Sequence, residues 1–173
     1  MTGGSTRRQP GRAIPAPADV RTLTNGSVEA SRRAERPTMR IIGLVGSPDT
    51  GGRTSTAVTA VLRGATHVDT ELIELSATST DRVVAAVAAA DAVVFGSPVY
   101  RGTYSALLKS TLEATERGKW GETSAPLQGK VAATVLTGAT PHHYLAMNDL
   151  RNVLAGFFAV QVLSPGMYVD HSD

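Results

Sequence analysis

Residues 40–55 read Arg40-Ile41-Ile42-Gly43-Leu44-Val45-Gly46-Ser47-Pro48-Asp49-Thr50-Gly51-Gly52-Arg53-Thr54-Ser55. Ile41–Gly46 is a short apolar run closed by glycine, the pattern of a strand buried on both faces. A loop rich in Gly, Ser and Thr follows. Ala57, Val58, Val61 and Leu62 then recur at helical spacing, which predicts a helix over Thr54–Arg63. A buried strand, a small-residue loop and an amphipathic helix in that order are the first half of a parallel β-α-β unit.

The same alternation continues along the chain. Thr70–Leu75 alternates as a second strand, and Asp81 can cap a helix through Ala90. Ala92–Gly96 reads as a third buried strand, and Thr103–Glu116 as a helix carrying Leu107, Leu108 and Leu112. Val131–Leu136 reads as a fourth strand. His142–Phe158 is predicted to be one helix with Leu145, Leu150, Val153, Leu154 and Phe157 on a stripe. Val160–Leu163, extended by Met167–Val169 past Pro165-Gly166, completes five strands. Five strands alternating with helices predict an α/β fold, a five-stranded parallel sheet with helices on both faces. In such sheets ligands bind beyond the carboxyl ends of the strands.

Composition sets the outer bounds. A chain of 173 residues is one domain by length. Residues 1–38 hold seven arginines against Asp19, Glu29 and Glu35, whereas Met39 onward is slightly acidic. Basicity thus concentrates outside the region of regular pattern, and no clustered basic face for nucleic acid is expected. With four prolines and five large apolar residues, 1–38 is expected to be a disordered basic leader. An Arg-rich transit peptide and an interaction arm are the competing readings of it, and Met39 is an alternative translation start. The domain is then 39–173.

Cysteine is absent, which excludes thiolate chemistry, disulfides and Cys-ligated metal. His142-His143 are adjacent rather than at ligand spacing, so no metal site is expected. No apolar run reaches the ~20 residues of a membrane span. A soluble cytoplasmic domain is the expectation.

Three loops fall at the carboxyl edge. In the first, Ser47, Arg53, Thr54 and Ser55 offer hydroxyls and a charge near a helix N-terminus, where backbone N–H groups favour anions. The alternative is an ordinary turn with Thr54 as N-cap. In the second, Gly96-Ser97-Pro98-Val99-Tyr100-Arg101-Gly102-Thr103-Tyr104-Ser105 is read as an irregular segment. It can hold a flat heterocycle, or its tyrosines can simply pack the helix. The third is Thr137-Gly138-Ala139-Thr140-Pro141.

With these loops placed, the sequence resembles the NAD(P)H-dependent FMN reductases of flavodoxin-like fold. The likeness extends to the flavin reductases that serve sulfonate monooxygenases. It is carried by Gly46-Ser47-Pro48 with Arg53-Thr54-Ser55, by Ser97 to Lys109, and by Gly129-Lys130-Val131 with Thr137-Gly138. The resemblance implies that Ser47, Arg53, Thr54 and Ser55 hold the FMN phosphate. Pro98, Val99, Tyr100 and Arg101 would line the isoalloxazine and ribityl, and Thr137, Gly138 and Ala139 would approach the ring from the other side. It further implies hydride transfer from NADPH or NADH to flavin N5, with no catalytic side chain required, and a homo-oligomer supplying reduced flavin to a monooxygenase. Tyr104 matches a helix position those members use near a tetramer interface; core packing is the other reading.

Three features depart from the family pattern. Asp49 stands where relatives often carry arginine, Ala139 replaces a common glycine, and the final helix is missing after the fifth strand. A non-enzymatic FMN electron carrier and a degenerate interaction module are the alternative functions.

Overall fold

The computed structural model describes residues 38–171, which lie in one contact unit, Thr38–Asp173. The expected leader falls outside the described residues, apart from Thr38. Strands β1 (Arg40–Val45), β2 (Asp69–Glu74), β3 (Ala92–Tyr100), β4 (Thr103–Tyr104), β5 (Val131–Thr137), β6 (Gln161–Val162) and β7 (Met167–Val169) alternate with helices α1 (Arg53–Gly64), α2 (Thr80–Ala89), α3 (Ala106–Glu113) and α4 (Ala146–Arg151).

The parallel order is β2-β1-β3-β5, with β6 and β7 both paired to β5 as two pieces of the edge. This is the doubly wound order in which the strand sequence reverses between β1 and β3, opening a crevice there. The five expected strands are all present, and Met167–Val169 does extend the fifth.

The two faces of the sheet are unequally filled. Helices α2, α3 and α4 cover one face through Val83, Val87, Leu108, Leu112 and Leu150, joined by Leu154 of the turn after α4, in one cluster with Ile42, Leu44, Phe95 and Leu136. On the other face α1 packs Val58 and Leu62 on Val45, Val94 and Val135. That approach is close because β1 and β3 present glycines beneath the helix. A Cβ at Gly43 would stand 2.5 Å from Val58 Cγ1, and one at Gly96 would stand 2.3 Å from Val58 Cγ2. Beyond α1 the same face is open at the β5–β7 edge, where Val131 and Met167 are 40% and 44% exposed. A groove of about 540 Å³ lies there between α1 and β7.

The structure corrects three expectations. The segment after β3 is regular: β3 runs on to Tyr100, and Arg101 and Gly102, both at positive φ, turn it back so that Val99 pairs with Tyr104 and Tyr100 with Thr103. A two-residue loop with both φ positive matches the twist of a hairpin. The third helix consequently starts at Ala106, with Ser105 as N-cap accepting a hydrogen bond from Leu108 N at 3.1 Å. Tyr104 is therefore a hairpin residue buried in the core, not a helix residue.

Residues 141–158 are also not one α-helix. A 3-10 turn over Pro141–Leu145 leads into α4, which passes into a π-turn over Asn152–Phe157. The wide turn brings Phe158 into the core after Leu150 and Leu154 and leaves Phe157 half exposed, while Leu145 is exposed in the 3-10 turn.

Finally, α2 has Ser79 at its N-cap and Asp81 within its first turn. Among the described residues no helix is long and apolar enough to cross a membrane.

Candidate functional site

The carboxyl ends of β1, β3 and β5 meet because the strands are in register: Val45 stands beside Gly96, and Pro98 beside Thr137. Hydrogen bonds then tie the loops that leave them. Ser105 Oγ donates to Gly46 O at 2.5 Å, and Ser105 N donates to Ser97 Oγ at 2.8 Å, which fastens the hairpin to the first loop. Thr54 and Thr137 share a hydroxyl–hydroxyl bond of 2.8 Å, which fastens α1 to the end of β5. Ser97, Ser105, Thr54 and Thr137 are all buried, so these bonds form where water does not compete.

Gly52, not Thr54, is the N-cap of α1, and it makes no side-chain cap bond. The first-turn N–H groups of a helix have no intrahelical acceptor, and here they open onto the loop 46–52. Ser47 is buried and its Oγ accepts from Asp49 N at 3.3 Å. Ser55 is buried and its Oγ donates to Glu74 Oε1 at 2.5 Å. Glu74 closes β2, and the same oxygen accepts from Gly51 N at 3.0 Å. Glu74 Oε2 is buried without a hydrogen-bond partner.

Arg53 turns away from the loop. Its Nη1 donates to Gly138 O at 3.3 Å, its Nη2 donates to Asp170 O, and Nη1 lies 3.2 Å from His171 Nδ1. The guanidinium thus clamps the ends of β5 and β7. Gly138 is held close by Tyr168: a Cβ there would stand 1.8 Å from Tyr168 Oη, which itself donates to Thr140 O at 2.6 Å. Burial, followed by the Asp170 charge, raises the Tyr168 phenol above its ordinary range, so it serves as a neutral donor.

Of the residues expected from sequence, Ser47, Thr54, Ser55, Pro98, Thr137 and Gly138 gather at this edge, largely buried. Val99 is half-buried in β3. Tyr100 is 49% exposed at the hairpin, Arg101 sits in its turn, and Ala139 is exposed beyond β5. Glu74 and Tyr168 belong to the same edge and were not anticipated, whereas Ser97 and Ser105 lie in the expected second loop without a role assigned to them. Glu74 had one legible signal, an acidic residue closing a strand adjacent to β1.

A family model described as NADPH-dependent FMN reductase matches residues 39–173. The chain belongs to that family. Among curated proteins it is 30% identical over 94 residues to an NAD(P)H-dependent FAD/FMN reductase of Geobacillus thermodenitrificans, covering 54% of this chain and 46% of that protein. It is 36% identical over 85 residues to an FMN reductase (NADPH) of Escherichia coli, covering 48% and 40%. The chain therefore matches less than half the length of these curated relatives.

Among solved structures, an apo NADH:FMN oxidoreductase (EMOB) superposes with TM-score 0.69 at 23% identity, over 79% of this chain and 78% of that one. A flavodoxin from the domain Archaea superposes with TM-score 0.59 at 19% identity, over 77% and 84%. These likenesses establish the flavodoxin-like fold.

This edge fits a flavin in part. The hairpin after β3 and the turn after β5 leave the sheet side by side, with the Tyr100 ring on one and the small Ala139 on the other. The phosphate end fits poorly. Thr54 and Ser55 are committed to Thr137 and Glu74, Gly51 N is committed to Glu74, and Arg53 is directed at carbonyls.

Proposed function

We propose that this chain binds a flavin at the β1–β3 edge and reduces it with NADH or NADPH. The observation that supports it most directly is the convergence of three strand-end loops at the switch point, in a member of the FMN reductase family. A bound flavin supplies a two-electron acceptor whose N5 takes hydride from the nicotinamide. The chain's own task is then orientation and exclusion of water rather than proton transfer by a strong acid or base. Tyr100, Val99 and Pro98 would face one side of the ring, with Gly138 and Ala139 at the other. Ser97 and Ser105, fixed by their mutual bond, would hold the hairpin in place during turnover.

In this reading Ser47 and the first-turn N–H groups of α1 face the distal end of the ribityl chain. Reduced flavin passing to a separate monooxygenase is the proposed onward role, with a homo-oligomer in the cytoplasm as its setting. The test is titration of the full chain with flavin, followed by loss of nicotinamide absorbance with and without added flavin. Flavin-dependent oxidation of NADH or NADPH is expected. Flavin binding without nicotinamide oxidation would make the protein an electron carrier, and no flavin binding would defeat both readings.

A further inference from the structure

The loop 46–55 already holds an anion of its own. Glu74 reaches it from the end of β2, one strand over, where register sets it beside Val45. Its Oε1 takes one backbone and one hydroxyl donor, Gly51 N at 3.0 Å and Ser55 Oγ at 2.5 Å. A phosphate oxygen at a helix N-terminus would claim the same kinds of donor. Glu74 Oε2 is buried and unpartnered, so the carboxylate sits inside the loop rather than in solvent. The nearby cation does not offset it, because Arg53 points at Gly138 O and Asp170 O. Asp49, exposed in the same loop, adds a second acid. A dianion entering here would find Gly51 N and the Thr54 and Ser55 hydroxyls already engaged, and would meet like charge in a partly desolvated place, where charge interactions are stronger than in water.

We propose that Glu74 is a specificity residue that fills the position of the flavin 5′-phosphate, so that the site takes an unphosphorylated flavin of the riboflavin class. Ribityl hydroxyls carry no charge for the Glu74 carboxylate to repel, whereas a phosphate dianion does. This rests on the flavin reading above and refines its substrate. Specificity of this kind comes from a repulsive group as much as from an attractive one.

The experiment is calorimetric titration of the full-length chain and of Glu74→Gln with riboflavin and, separately, with FMN at low salt. Glutamine keeps an oxygen for Gly51 N and removes the charge. The expected result is that FMN binds the wild type no more than about threefold tighter than riboflavin, and that Glu74→Gln tightens FMN by about tenfold or more while leaving riboflavin within about twofold.

A wild type preferring FMN by more than that margin, or a variant shifting both flavins equally, overturns the proposal and leaves Glu74 as a loop tether. If neither flavin binds either protein, the flavin reading itself fails. Should Glu74→Gln melt too low to titrate, the wild-type ratio decides the matter.

Discussion

Thr54 Oγ1, in the first turn of α1, meets Thr137 Oγ1, at the end of β5, at 2.8 Å in the buried seam between helix and sheet. Together with the Arg53–Gly138 bond it ties the first loop of the candidate site to the third. Replacing one threonine by valine keeps the shape and strands the other hydroxyl, which costs about 1–3 kcal/mol, whereas removing both together is far less costly. Urea unfolding of Thr54→Val, Thr137→Val and the double variant checks this. A double variant as unstable as the sum of the singles would mean that the hydroxyls do not depend on one another.

Val58 is clasped between Gly43 and Gly96, and a methyl group at Gly96 would stand 2.3 Å from Val58 Cγ2. Gly96→Ala is expected to destabilise the protein by about 1–3 kcal/mol through overpacking. Adding Val58→Ala should recover part of that loss, because it empties the space the new methyl needs. Thermal melts of the single and double variants give the comparison, and no recovery would place the clash elsewhere.

Arg53 acts on strand ends rather than on a phosphate, since its hydrogen bonds run to Gly138 O and Asp170 O. Arg53→Ala is expected to cost about 1 kcal/mol of stability, modest because the side chain is solvent-screened. Riboflavin and FMN affinities should weaken by the same factor. A loss confined to FMN would show the guanidinium swinging to the phosphate after all.

Tyr104 and Tyr168 both carry phenols raised above the ordinary range near 10. Burial is the main cause in each. For Tyr104, Lys109 opposes the shift while Asp149 and Glu113 reinforce it. Above pH ~10 the unfolded phenols release protons that the folded ones keep, so the unfolded state binds fewer protons and stability falls as pH rises. The contribution is complete below pH ~10 and is lost as pH climbs through the raised folded values. Unfolding free energies measured at a series of alkaline pH values should fall less steeply for Tyr104→Phe than for the wild type. An identical slope would show that Tyr104 ionises freely in the folded state.

The order of strands and helices, the parallel sheet and the three loops at its carboxyl edge were determined by the sequence itself. Each depends on signals within about ten residues: the apolar run of Ile41–Val45 ending in glycine, the helical spacing of Val58 and Leu62, and the turn residues that follow each strand. Even the hairpin after β3 left a local trace, an Arg-Gly pair between Val99-Tyr100 and Thr103-Tyr104. It was obscured because Thr103 to Glu116 also reads as a continuous helix.

Tertiary structure decided the rest. The pairing of Leu150, Leu154 and Phe158 with the core drew the chain from an α-helix into a π-turn, which no local period specifies. Above all, it decided who holds the first loop. Ser55 meets Glu74 nineteen residues away, and Arg53 reaches Gly138 across eighty-five. A hydroxyl or a guanidinium in sequence is an uncommitted donor, and only folding brings up the competing acceptors that decide where it points.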